Sequence, residues 1–123
     1  MAQVEWAAST MEAAGCKLHV MRAGRGRPLL VLHHETGTLD RLPFYDALAE
    51  KFDVVVPHHP GWGKSERPQW MRHPRDIAAV HSWLLGDLGL TDVSLVGLGF
   101  GGWIAAEMAS QSPTSYRRLV RAP

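Results

Sequence analysis

Two adjacent histidine pairs are the side chains in this sequence best suited to chemistry. His33-His34 runs into Glu35, and His58-His59 follows further along. Imidazole and carboxylate can activate water or hold a divalent ion. Three or more of His33, His34, His58, His59 and Glu35 would make a zinc set if they converged, and bound water would then be the nucleophile. Adjacent residues on extended backbone face opposite ways, so each pair offers one ligand. The rings are therefore expected to bond to backbone and fix their loops. No metal or other cofactor is expected.

A second chemical stretch is Val93-Ser94-Leu95-Val96-Gly97-Leu98-Gly99-Phe100-Gly101-Gly102-Trp103-Ile104. It reads as strand, sharp glycine turn and helix. Gly97, Gly99 and Gly102 satisfy Gly-x-Gly-x-x-Gly, the dinucleotide-binding pattern. The acid that should follow about twenty residues later is missing, since that region holds Arg117, Arg118 and Arg121. Gly63-Lys64-Ser65 hints at a phosphate loop, but His58 stands where that loop needs a glycine. Gly61 and Gly63 are expected to be backbone punctuation at positive φ. Trp62 between them either lines a pocket or covers the sheet rim.

The elements that must position these residues follow from periodicity. Thr10–Ala14 and Lys17–Arg22 read as a hairpin turning at Gly15-Cys16. Leu29–Leu32 and Asp53–Pro57 are unbroken apolar runs, as in strands covered on both faces of a parallel sheet. Between them a short helix is expected, with Asp40 as cap, Pro43 in its first turn and Phe44, Ala47 and Leu48 inward. Pro74 opens the clearest helix, with Ile77, Val80, His81, Leu84, Leu85 and Leu88 on one face and Gly89 as its stop. His81 should be a satisfied, partly buried ring, and Trp83 and Trp103 packing residues. A helix over Gly101–Ser110 and a strand beginning near Arg118 complete the chain. Strand and helix alternate from Leu29 on, so the fold class is α/β, a mostly parallel sheet with flanking helices in a single domain, 1–123.

Bulk properties narrow the function. At 123 residues and 46% hydrophobic, the chain can bury a real core. A formal net charge of +1 gives no electrostatic case for nucleic acid or an anionic membrane. One cysteine, Cys16, excludes an internal disulfide and fits a reducing, cytoplasmic setting. No apolar run approaches membrane-spanning length.

With those pieces placed, the chain resembles the N-terminal half of an α/β-hydrolase, from about Thr10 to Ala122. Leu32-His33-His34-Glu35-Thr36-Gly37 is similar to the family's His-Gly oxyanion loop. Pro57-His58-His59-Pro60-Gly61-Trp62-Gly63-Lys64-Ser65 is similar to its Pro-Gly-Phe-Gly-x-Ser loop. Gly97–Gly102 stands where the family carries its nucleophile elbow, Gly-x-Ser-x-Gly. The departures are specific. His34 replaces a usual glycine, and Gly99 stands where the family has Ser, Asp or Cys. The family's acid and histidine lie after later strands, beyond Pro123.

The resemblance implies oxyanion donors at the backbone N–H groups of Phe100 and Glu35. An inward Glu35 side chain would repel an anion there; an outward one is a solvated loop acid. The resulting expectation is a hydrolase-like protein without an operative serine triad, an impaired binding or scaffold homologue of an ester or amide hydrolase acting on small apolar molecules. An active hydrolase using histidine-activated or metal-bound water at His58 and His59 is one alternative. A dinucleotide-binding module is another. A half sheet leaves an open edge, so a homodimer or a complementing C-terminal half is expected.

Overall fold

The computed structural model describes residues 4–123. In chain order the elements are β1 (Ala7–Ala13), β2 (Cys16–Ala23), β3 (Arg27–Leu32), α1 (Pro43–Ala49), β4 (Phe52–Pro57), α2 (Pro74–Asp87), β5 (Val93–Leu98), α3 (Phe100–Gln111) and β6 (Tyr116–Ala122). The six strands form one sheet in the order β1-β2-β4-β3-β5-β6. The β1–β2 and β2–β4 pairs are antiparallel, and β3 pairs parallel with both β4 and β5, as β5 does with β6. The hairpin is longer than its apolar residues suggest, because cross-strand pairing runs from Ala7↔Arg22 to Ala13↔Cys16.

The unbroken apolar strands are buried on both faces, as their composition requires. Leu30, Leu32, Val55 and Leu95 pack with Ile77, Val80, Leu84, Ile104 and Met108 on the α2/α3 side. Leu29, Val31, Val54 and Val56 pack with Tyr45 and Ala49 of α1 on the other. α2 is opened by a reciprocal N-terminal cap: the His73 ring accepts from Arg75 N–H, and the Asp76 carboxylate accepts from His73 N–H.

Three expectations fail for reasons of long-range packing. Asp40 does not cap α1; Leu42 is the N-cap with no side-chain bond, and Pro43 begins the helix. The buried face of α1 is Tyr45 and Ala49, while Phe44 is 46% exposed and Ala47 is also exposed. Tyr45 faces inward because its hydroxyl meets Thr38 Oγ1 at 2.6 Å and its ring packs by Trp6. Trp83 and Trp103, expected to pack, are 61% and 49% exposed, although Trp103 still meets Phe100 and His73 edge-on. β6 carries little packing of its own: every residue from Arg117 to Ala122 is exposed.

Candidate functional site

The C-terminal ends of β3, β4 and β5 bring three loops to one rim of the sheet, as parallel strands must. At the apex between β5 and α3 lies Gly99, with φ 55° and ψ −119°. L-residues adopt that conformation only under strain of about 1–3 kcal/mol. The apex amide donates to Ala122 O at 2.8 Å, tying the turn to β6. Gly101 lets the first turn of α3 sit on the end of β3; a Cβ there would lie 1.9 Å from Leu32 O.

The space a side chain would take at Gly99 is filled by the loop after β3. A Cβ would come within 2.6 Å of His34 Nδ1 and 2.8 Å of Glu35 Oε1. Glu35 stays exposed to solvent yet leans to the apex: Oε1 accepts from Phe100 N–H at 3.1 Å. That hydrogen bond and one from Glu35's own backbone N–H hold its carboxyl below the usual carboxylate range, its own N–H acting most strongly. The Phe100 N–H expected to bind an incoming oxygen is thus engaged by a carboxylate of the chain itself. Trp62 Nε1 donates to Glu35 O at 2.7 Å and its ring stacks on Phe100, with centroids 5.4 Å apart. Beside them opens a cleft of about 360 Å³, lined by Trp62, Phe100, Met71, Ile77, Arg67 and Arg72 among others.

The two histidine pairs divide, but into two different networks. His59 and His33 are joined twice, with His59 the donor each time: His59 N–H donates to His33 Nε2 at 2.8 Å, and His59 Nε2 donates to His33 O at 3.0 Å. His33 must then carry its proton on Nδ1, which donates to His34 O at 2.7 Å. With its proton on Nε2, His59 accepts through Nδ1 from His81 Nε2 at 2.8 Å. This assignment leaves His81 Nδ1 a bare acceptor, and among the described residues it has no partner. The expected satisfied, partly buried His81 is therefore fully buried and half-satisfied.

These three rings are neutral. Burial lowers His33 to about 4 and His81 to about 3, with nearby rings adding to the effect; His59 falls well below its ordinary value, again mainly by burial.

His58 turns the other way, toward Asp40. Its Nε2 lies 3.0 Å from Asp40 Oδ1, an oxygen already bonded to His19 Nε2 at 2.9 Å, and makes no hydrogen bond. Burial and the neighbouring His19 lower the His58 pKa, against the pull of Asp40. Burial works upward on Asp40, but hydrogen bonds from Lys64 and His19 outweigh it and hold the carboxyl low. His33, His34, His58, His59 and Glu35 thus do not converge on one point. Sequence reasoning missed His19 altogether and placed His81 on its helix without joining it to the other rings. His81 was signalled by its place on the inner face of α2, whereas nothing local marks His19.

The model for the alpha/beta hydrolase fold matches residues 27–121. The chain is 34% identical to a 2-hydroxymuconate semialdehyde hydrolase of Pseudomonas sp. (strain CF600), over 88% of this chain and 40% of that protein. It is 32% identical to a soluble epoxide hydrolase of Corynebacterium sp. (strain C12), over 85% of this chain and 37% of that one. Among solved structures it superimposes on the epoxide hydrolase CorEH without ligand, with a TM-score of 0.84 and 29% identity, covering 95% of this chain and 42% of that one. The chain spans about two-fifths of the length of these relatives.

Proposed function

This chain belongs to the α/β-hydrolase family, and from that premise we propose that it binds a small, largely apolar ligand without forming a covalent adduct. The observation that carries this reading is Gly99. The apex keeps the strained backbone of an elbow, yet it has no side chain, and its place is filled by His34 and Glu35. A ligand oxygen reaching the N-terminus of α3 must displace the Glu35 carboxylate from Phe100 N–H. The aromatic and aliphatic lining of the adjoining cleft suits an apolar body, and Arg67 and Arg72 suit an acidic or carbonyl-bearing end.

Incubation with a fluorophosphonate probe and a p-nitrophenyl ester should give neither labelling nor enzyme-dependent turnover. Gly99→Ser should not restore turnover, and it should lower stability by about 1–3 kcal/mol in urea unfolding, because the serine inherits the strained φ and meets His34 and Glu35. Specific labelling of the parent chain would overturn the reading.

Water activation by Glu35 is the competing chemistry, since its oxygen stands where a nucleophile would. Its lowered pKa makes it a poor base near neutrality. The dinucleotide alternative gains no support, because the helix N-terminus it needs is already occupied by Glu35.

The exposed β6 strand, with Leu119 and Val120 in solvent, supports self-association into a homodimer. Static light scattering on a dilution series should return twice the mass of one chain; a persistent single-chain mass would count against it.

A further inference from the structure

We infer that His19, Asp40 and His58 form a binding site for a divalent transition ion of the zinc class, beside the His33–His59–His81 network, with the rings of His58 and His33 centred 6.2 Å apart. The three residues come from β2, the loop before α1 and the loop after β4, and nothing in their local sequence links them. Their ligand atoms all lie within 4.8 Å of one another. The two nitrogen-to-oxygen separations are 2.9 and 3.0 Å. An ion with ligand bonds of about 2.0–2.2 Å spaces tetrahedral ligands roughly 3.3–3.6 Å apart, so Asp40 would withdraw by a few tenths of an ångström and the two nitrogens, no more than 4.8 Å apart, would close by at most about 1.3 Å to complete three corners.

The second observation is the state of His58. Its side chain is about nineteen-twentieths buried (5% exposed), and its Nε2 lies 3.0 Å from Asp40 Oδ1 but is aimed too far aside to bond it, leaving the nitrogen without a hydrogen bond among the described residues. A buried polar atom left in that state needs a partner. A metal held by Nε2 supplies one. Two imidazoles and one carboxylate favour zinc and its neighbours over calcium or magnesium, which need more oxygen ligands. Asp40 is 34% exposed, so the fourth position opens to water.

Two contacts oppose the ion and determine how the site should respond. Lys64 Nζ holds Asp40 Oδ2 at 3.1 Å, but its side chain is 66% exposed and free to swing into solvent. Lys64 N–H donates to His58 Nδ1 at 3.2 Å. Metal on Nε2 moves the ring proton to Nδ1, so this contact has to open and the Gly63-Lys64 backbone to withdraw. Removing the lysine charge should therefore tighten binding, the reverse of what a surface ion pair alone would predict.

The test is titration of chelator-treated protein with Co²⁺, followed by its visible absorption, and displacement of Co²⁺ by Zn²⁺. One equivalent per chain should bind with the strong absorption of a four-coordinate ion. Asp40→Asn and His19→Gln should each weaken binding at least about 100-fold. Lys64→Met should strengthen it severalfold, and His34→Gln, at the elbow, should leave it unchanged. Circular dichroism of each variant separates loss of the site from loss of the fold, and Lys64→Met is a gain that misfolding cannot imitate. The proposal is overturned if neither the parent chain nor Lys64→Met binds one equivalent with ion in clear excess. It is equally overturned if folded Asp40→Asn binds as the parent does, or if His34→Gln abolishes binding.

Discussion

Lowering the pH from 7 to 4 should unfold this protein, and the buried histidines should be the reason. An unfolded histidine titrates near 6.5. In the folded chain His33 is lowered to about 4 and His81 to about 3, and His59 is also well below its ordinary value. The unfolded state therefore binds more protons throughout that interval, so stability falls as pH drops below 6.5 and continues to fall until the folded values are reached. By linkage His33 and His81 each remove roughly 3 kcal/mol by pH 4. A domain with about 5–15 kcal/mol in hand does not survive many such losses. Asp40 and Glu35 are lowered too, and their contribution disappears only at more acid pH, below the ordinary carboxylate values.

Urea unfolding at several pH values measures this directly. In His81→Leu the dependence between pH 6.5 and 4 should be shallower by about one proton. Its stability at pH 7 should be about 1 kcal/mol lower, because His59 Nδ1 loses its donor. A stability flat from pH 7 to 4 would contradict the neutral network.

Gly101→Ala should have the second large effect. A methyl group at this position would lie 1.9 Å from Leu32 O, 2.5 Å from Leu32 C and 2.7 Å from His33 O, all of them backbone. None can rotate away, so α3 must lift off the end of β3. The loss should be about 3 kcal/mol or more. It should also loosen the Phe100–Glu35 contact, which depends on the seating of the same helix turn. Gly86→Ala makes the control. That glycine lies in α2, exposed, with nothing within 4 Å of an added Cβ. Helix propensity alone predicts a gain of about 0.5–1 kcal/mol. Equal effects at the two positions would show that close approach of α3 to β3 is not what fixes Gly101.

The elements that could be read from sequence are those whose signal is repeated along the element. β3 and β4 announce themselves by unbroken apolar runs, and α2 by a stripe three turns long. α1 has only two turns, too few to define a face, and its inward residue was decided by Thr38 and Trp6. Asp40 shows the same limit. Helix capping is a local rule, and here it lost to His19, twenty-one residues away in sequence. The histidine pairs were half legible: alternation correctly parts neighbours, but it cannot say which third residue each will meet. The strand–turn–helix from β5 to α3 was legible because its glycines are demanded by backbone geometry whatever chemistry the loop performs.

The double bonding of His59 onto His33 limits how binding preference can change. The loops after β3 and β4 are stitched so that parting them strands two buried donors at once, and this half of the rim behaves as a fixed collar. Accommodation of differently shaped guests falls instead to the opposite wall, the segment from Arg67 to Pro74 that leads into α2. Selectivity should diverge along that wall while the collar stays constant.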